Sequence, residues 1–189
     1  MTRCWWCGDD PLYTAYHDSE WGVPEHDDYR LFELLLLEGF QAGLSWITVL
    51  RNRENFRRAF ENFAPERIAA YKTKDFERLL ANPGIIRNRL KIESSAVNAQ
   101  AFLALHNETG SFGRFLWQFT GGVTLRDPAG MDRSRIRATS PESDAMSKAL
   151  LKRGFKFVGS TICYAFMQAS GMIDDHLEGC WKYQPRQPG

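Results

Sequence analysis

Three groups of residues in this chain have types and spacing that could do chemistry. The first is a set of thiols and imidazoles split between the two ends. Cys4, Cys7 and His17 lie near the start, and His176 and Cys180 near the finish. Thiolate and imidazole are the ligands zinc prefers, and four of them close a structural site. Cys4 and Cys7 have the C-x2-C spacing of a metal knuckle. His176 and Cys180 are four apart, which on a helix puts both on one face, a turn apart. Two sets of four are open: Cys4, Cys7, His176 and Cys180, or Cys4, His17, His176 and Cys180. Spacing alone favours the first, because C-x2-C is the commoner arrangement. Either would staple the termini together. Cys163, in the apolar run "STICYAFMQAS", reads as a small buried hydrophobe. His26 and His106 sit among polar neighbours and read as solvated.

The second group surrounds one acid. Glu38 follows Leu34 to Leu37 directly, at the edge of the most apolar stretch of the chain. A carboxylate in the last turn of a helix faces the negative end of the dipole, at a cost of roughly 0.3–1 kcal/mol, so something else should reward it. Trp5, Trp6, Tyr13, Tyr16 and Trp21 crowd the first twenty-one residues, and Trp46 follows the acid. Rings serve cores first, but two rings and a carboxylate suffice to sandwich a nucleobase, a cationic one especially. The third group is "FKFVGSTICYAFMQASGMIDDH". A glycine turn at Gly159 leads into a helix starting at Ser160 and Thr161, with Lys152, Arg153 and Lys156 beside it. Exposed N–H groups at a helix start suit one phosphate of a nucleic-acid backbone. An ordinary helix connection with a solvated basic flank fits the same residues. Two further basic clusters, Arg51, Arg53, Arg57 and Arg58, and Arg87, Arg89 and Lys91, could add to a phosphate-facing surface.

The elements that must position these groups read as helices. Asp27 or Asp28 caps a helix through "YRLFELLLLEG" that Gly39 should stop. "LSWITVLRNRENFRRAFENF" has apolar residues near helical spacing, Pro65 opens "PERIAAY", and "DFERLLAN" follows before Pro83-Gly84. "IIRNRLKIESSAVNAQAFLALHNETG" is one long helix or two, ended by Gly110, and "SFGRFLWQF" is a short one. Residues 120 to 138, poor in large apolar side chains, read as loop. Ser140 and Pro141 open "SDAMSKALLKRG". The last helix is expected to start at Ser160 and end by Gly171, and residues 183 to 189 form a frayed tail. Nothing alternates as a strand should, so the fold class is all-α.

A length of 189 residues and a composition 43% hydrophobic and 13% aromatic fit one domain with a sizeable core. The net charge of +1 speaks against a global polyanion-binding field, though not against a local basic face. No charged-then-apolar leader opens the chain, and the apolar run is too short to span a bilayer, so a soluble cytoplasmic protein is expected.

The stretches "DPLYTAYHDSEWGVP", "LEGFQAGLSWITVLRNRENFRRAF", "NPGIIRNRLKI" and "KRGFKFVGSTICYAFMQASGMIDDH" resemble the bacterial DNA-3-methyladenine glycosylase I family, within the helix-hairpin-helix DNA glycosylases. The resemblance runs over nearly the whole chain and is least distinctive near residues 120 to 138. It implies an all-α helix-hairpin-helix fold with one structural zinc held by Cys4, His17, His176 and Cys180, which sets the Cys7 alternative aside. It implies a base pocket of Tyr16, Glu38 and Trp46, with Trp6, Tyr13 and Trp21 close by and Glu38 as the catalytic group. Leu44 would be the wedge filling the gap left by an extruded nucleotide, flanked by Gln41 and Gly43. Gly159, Ser160, Thr161 and Lys156 would meet the DNA backbone. The activity implied is hydrolysis of the N-glycosidic bond of 3-methyladenine in alkylated double-stranded DNA, giving free 3-methyladenine and an abasic site, by a monomer.

Many superfamily members carry a Schiff-base lysine just after the hairpin glycine. Here the residues are Ser160 and Thr161, so lyase activity is not expected. Asp174 lies near the place of the superfamily's water-supporting acid, on which the glycosylase I family is thought not to rely. Asp175, next to His176, is a candidate to orient that imidazole. A zinc-stabilised module that binds damage without cutting it, and a glycosylase for another alkylated base, are the rival readings.

Overall fold

The computed structural model describes residues 1–127 and 130–184. Among them the fold is helical: α1 (Pro11–Ser19), α2 (Asp28–Gln41), α3 (Trp46–Ala59), α4 (Pro65–Ala69), α5 (Thr73–Ala81), α6 (Arg89–Thr109), α7 (Phe112–Trp117), α8 (Pro141–Lys152) and α9 (Ser160–Ala169). Short 3-10 turns stand at Trp5–Cys7, Glu61–Phe63, Gln118–Thr120 and Arg133–Arg135. The only β-type pairing among the described residues is an isolated bridge between Leu125 and Ile173.

Helix α2 runs through the centre. Asp27 caps it by accepting from the N–H groups of Tyr29 and Arg30, and every residue from Leu35 to Phe40 is buried. Phe40, Phe56, Phe60 and Phe63 form one continuous ring stack, and Phe102 and Phe112 extend the core on the other side. Fully buried phenylalanines each contribute on the order of 1.5–3 kcal/mol. Shortening Phe56, which is wholly buried, would cost about 3–5 kcal/mol.

Four expectations need correcting. Gly39 does not stop α2, which continues to Gln41. A Cβ at Gly39 would stand 3.4 Å from Phe157 Cβ, ordinary contact distance, so α2 packs directly under the turn before α9 at this point. α1 was not anticipated, although Asp10 caps it through the N–H groups of Leu12 and Tyr13 and Pro11 opens it. His176 and Cys180 do not share a helix face, because α9 ends at Ala169 and they lie on irregular chain beyond it. Of the expected frayed tail, Tyr183 is held by its N–H to Cys180 O at 2.9 Å and Gln184 accepts from Arg126; residues 185–189 lie outside the described residues. The described residues of 120–138 are loop as expected, apart from Thr120 at the end of the Gln118–Thr120 turn, the Arg133–Arg135 turn and the bridge at Leu125.

The two ends of the chain meet. Trp181 N–H donates to Thr2 O at 3.0 Å, Glu178 N–H to Met131 O at 2.8 Å, and Asp174 N–H to Leu125 O at 2.9 Å. Arg3 grips Asp18 with three contacts of 2.7–3.0 Å. No helix among the described residues is long and apolar enough to cross a membrane.

Candidate active site

A cavity of about 270 Å³ lies between the N-terminal aromatics, the end of α2, the start of α3 and the C-terminal segment. α1 brings Tyr13 and Tyr16, α2 brings Glu38, and α3 brings Trp46 as its first residue. Trp6 and Trp21 complete the aromatic wall. The rings are mutually packed: Trp6 to Tyr13 at 5.0 Å, Trp6 to Trp21 at 4.9 Å and Tyr16 to Trp46 at 5.5 Å between centroids. All six residues of the expected base pocket are therefore brought together around one space.

Glu38 is only 3% exposed, and its carboxyl forms no hydrogen bond or ion pair among the described residues. Burial alone pushes it up to about 8, from an ordinary value near 4.5. Burial and the neighbouring Glu38 charge push the Tyr16 hydroxyl up as well. Burial is also the main reason that Tyr13 rises to about 12. The Trp46 Nε1–H is buried without a partner among the described residues. A buried polar group left unpaired costs about 1–3 kcal/mol. Here an acid and an indole donor share that state around one cavity, which suits a polar ligand that would satisfy them.

The loop between α7 and α8 and the chain from α9 onward supply lining residues that were not anticipated. Met131 and Arg137 come from the loop between α7 and α8, and Gln168 and Asp175 from α9 and the chain beyond it. Asp175 accepts from Tyr164 Oη at 2.6 Å and Gln168 Nε2 at 2.8 Å, and burial raises its carboxyl. No spacing in the sequence ties the loop residues to the pocket; only the folded loop does.

The Cys/His group lies behind the aromatic wall. Cys4, His17 and Cys180 are buried, with ligand atoms all within 4.8 Å of one another. His176 falls outside that spacing, but its ring lies 5.2 Å from that of His17, and its Nε2 is buried without a partner. Each imidazole has a carboxylate on Nδ1: Asp18 at 2.8 Å from His17, Asp174 at 2.7 Å from His176. That arrangement turns both Nε2 atoms inward, as metal-binding histidines require. The orienting acid for His176 is thus Asp174, which also pairs with Arg126 at 2.9 Å, and not Asp175. Cys7 points elsewhere, its Sγ donating to Cys4 O at 3.0 Å. The geometry supports the set containing His17 over the one containing Cys7. Gly22, at φ +76°, is needed here, since a Cβ would meet His176 Cε1 at 2.6 Å.

The elements expected to meet DNA are separate from the cavity wall, except Gln41, which belongs to both. Gln41, Gly43 and Leu44 form the turn between α2 and α3, with Gln41 Nε2 donating to Leu44 O at 2.9 Å and Gly43 at φ +85°. Leu44 is 42% exposed, a large apolar side chain facing water. α8 and α9 are joined by a tight turn with Gly154 at φ +90° and Gly159 as the N-cap of α9. No side chain caps that helix start, and Lys156, Gly159 and Thr161 are exposed beside it. The Ser160 hydroxyl is engaged by Asp144 at 2.5 Å and Ser143 at 2.8 Å.

The two basic clusters contribute less than their charge suggests. Arg51 pairs with Asp10, Arg53 with Glu20, Arg57 with Glu33 and Glu54, and Arg89 with Glu93, while Lys91 is buried. His26 is exposed but stacked on Trp117, and His106 is half-exposed beside Asp28.

The sequence profile of methyladenine glycosylases matches residues 6–183. DNA-3-methyladenine glycosylase 1 of Escherichia coli (strain K12) is 51% identical over 188 residues, covering 100% of both chains. A crystal structure of a 3-methyladenine DNA glycosylase I superposes with a TM-score of 0.94 at 54% identity, covering 97% of this chain and 100% of that one. A variant of such an enzyme, solved in complex with 3-methyladenine, superposes with a TM-score of 0.92 at 35% identity, covering 98% of this chain and 100% of that one. With matches of this extent in both sequence and structure, this chain belongs to the methyladenine glycosylase family.

Proposed function

We propose that this protein is a monofunctional DNA glycosylase that releases 3-methyladenine from alkylated duplex DNA and leaves an abasic site. The observation that carries the reading is the unpaired, buried Glu38 carboxyl in an aromatic cavity, together with the family membership.

The lesion must leave the stack to be reached. Alkylation at N3 makes the base a cation, and the cavity offers what a cation needs. With its carboxyl near 8, Glu38 is mostly neutral at pH 7 when the cavity is empty, and ionising it there costs about 1.4 kcal/mol. An opposite charge about 4 Å away at an effective dielectric of ~20 returns about 4 kcal/mol. The balance favours a cationic base and withholds that gain from neutral adenine. Glu38 accepts from the exocyclic amine edge of the base, Trp46 stacks on the ring, and Tyr16 assists from the facing wall. The C1′–N9 bond then breaks with its electron pair passing to the base, which departs as neutral 3-methyladenine. Water bonds to C1′ and gives its proton to solvent. Neither Ser160 nor Thr161 can form a Schiff base, so strand cleavage does not follow.

Leu44, with Gln41 and Gly43, serves as the wedge filling the vacated stack. The α8–turn–α9 unit is read as the helix-hairpin-helix, in which the uncapped start of α9 at Gly159, Ser160 and Thr161 takes a phosphate beside Lys156. A zinc ion fits Cys4, His17 and Cys180 with the orphaned Nε2 of His176 as fourth ligand. Its contribution is to fix the termini that form the pocket wall. One lesion needs one chain, so a monomer is expected, working in the cytoplasm with the DNA.

The test is base release from methylated duplex DNA, separated by chromatography, for the wild type and Glu38→Gln. Free 3-methyladenine from the wild type, retained 7-methylguanine and a much slower folded variant support the reading. Tight binding of methylated DNA with no released base would instead identify a damage-binding module.

A further inference from the structure

Two buried polar side chains on one face of α6 are tied to the two elements that the proposed function brings to DNA. Lys91, 9% exposed, donates from Nζ to Phe40 O at 2.9 Å and to Ala42 O at 2.5 Å. Those carbonyls close α2 and open the turn that carries Gly43 and Leu44. Asn98, 4% exposed, clasps the backbone of Lys156 from both sides: its Nδ2 donates to Lys156 O at 3.0 Å, and Lys156 N–H donates to its Oδ1 at 2.7 Å. Lys156 lies in the turn before α9. Residues 91 and 98 are seven apart, two helical turns, and so project from the same face of α6. Between them Gly39 approaches Phe157, and the junction leaves a void of only about 10 Å³ lined by Gly39, Phe40, Lys91, Asn98 and Phe157.

Neither contact is an economical way to build a core. A buried ammonium is expensive to desolvate, and burial lowers Lys91 from its ordinary value. An asparagine spent on one peptide unit of a turn fixes that turn and little else. Both side chains are spent on backbone, so they set where the two segments lie whatever side chains those segments carry. The ammonium also sits at the negative end of the α2 dipole.

We propose that Lys91 and Asn98 are positioning residues that hold the Leu44 turn and the Lys156 turn at a fixed separation, so that the wedge enters the stack while the hairpin grips the backbone. This rests on the proposed DNA-glycosylase reading. It adds that α6, which supplies no side chain to the cavity, determines how well duplex DNA is engaged. Misplacement of such a group by about 1 Å can cost on the order of 100-fold.

The experiment measures KM and kcat on methylated duplex DNA, and the affinity for free 3-methyladenine by tryptophan fluorescence, for the wild type, Lys91→Met, Asn98→Ala, Leu44→Ala and Lys91→Met combined with Leu44→Ala. The expected result is a rise of about 10- to 100-fold in KM for Lys91→Met and Asn98→Ala, with free-base affinity changed less than about twofold. The double variant should be no worse than the more damaged single variant, because the lysine acts through the leucine. Lys91→Arg, which retains charge and donors, should recover part of the loss. If Lys91→Met does not fold, Asn98→Ala reads the same split from the hairpin side. Loss of free-base affinity in step with KM, unchanged KM, or additivity in the double variant would each overturn the proposal. If the wild type neither binds free base nor releases it from DNA, the glycosylase reading fails instead.

Discussion

The aromatic cavity and the Cys/His cluster are neighbours that share a wall, yet they treat their central polar groups in opposite ways. In the cluster, each imidazole is held by a carboxylate, Asp18 on His17 and Asp174 on His176. In the cavity, Glu38 has no hydrogen-bond or ion-pair partner among the described residues, and neither has the indole of Trp46. Trp21 belongs to both, lining the cavity and meeting His176 edge-on at 4.6 Å. The difference is the one the proposed function calls for between a ligand that stays and one that leaves. On the proposed reading, a cluster that would keep its zinc has its donors aligned in advance, whereas a cavity that would release its base leaves an acid neutral until the guest arrives.

The largest effect expected from testing this contrast is on the cluster. With the proposed zinc held by the cluster, Cys180→Ser should lower unfolding free energy by more than about 3 kcal/mol, since binding a structural metal is folding free energy. A strong chelator should do the same to the wild type and little to the variant. Indifference of the wild type to chelation in a denaturant titration would reduce the cluster to packed thiols and rings.

The next effect is on the cavity. Glu38→Gln should slow base release by ~100- to 1,000-fold while making the fold more stable at alkaline pH. The folded state keeps the Glu38 proton up to about pH 8, whereas the unfolded chain loses it near 4.3. Wild-type stability therefore falls as pH rises across that window and levels off above it, by at most about 3–5 kcal/mol. The glutamine variant should lack this slope, so urea midpoints at pH 5 and pH 9 decide. Parallel slopes would mean that Glu38 ionises freely.

Asp174→Asn should weaken metal affinity by ~10- to 100-fold, seen by competition with a colorimetric chelator, and leave base release unchanged at saturating metal. A larger effect from Asp175→Asn would reverse the assignment of the two acids. Smallest of all, Trp21→Phe should cost both regions together, about 0.5–1.5 kcal/mol each in metal and base affinity. An effect on only one would show that the shared wall transmits nothing.

Much of this was legible in sequence where a local rule decides. Asp27, one of the two caps expected for α2, and Ser140 cap their helices, and Gly110 ends α6 as expected, although α6 starts at Arg89 rather than at Ile85. The aromatic and acidic residues of the cavity stood out because so many rings sat near one acid. What stayed hidden depends on approach in space. Gly39 looked like a helix stop and is a close-packing point for Phe157. The choice between Asp174 and Asp175 turns on which way irregular chain rotates after Ala169. α1 was obscured by its small, aromatic and polar residues, which carry little helical periodicity despite the Asp10-Pro11 start signal. Arg137 and Met131 reach the cavity through a loop whose path no periodicity encodes.

The meeting of the two ends has a consequence in time. A ribosome delivers Cys4, Tyr13 and Tyr16 first and Gln168, Asp175, His176 and Cys180 last, and the cavity needs both. The backbone bond between Thr2 and Trp181 cannot form until residue 181 has left the ribosome. A chain stalled before its C-terminal segment holds Leu44, Glu38 and most of the phenylalanine core, but no closed pocket. For an enzyme whose product is a broken letter in the genome, the order of synthesis becomes a safeguard: incomplete copies are also inactive ones.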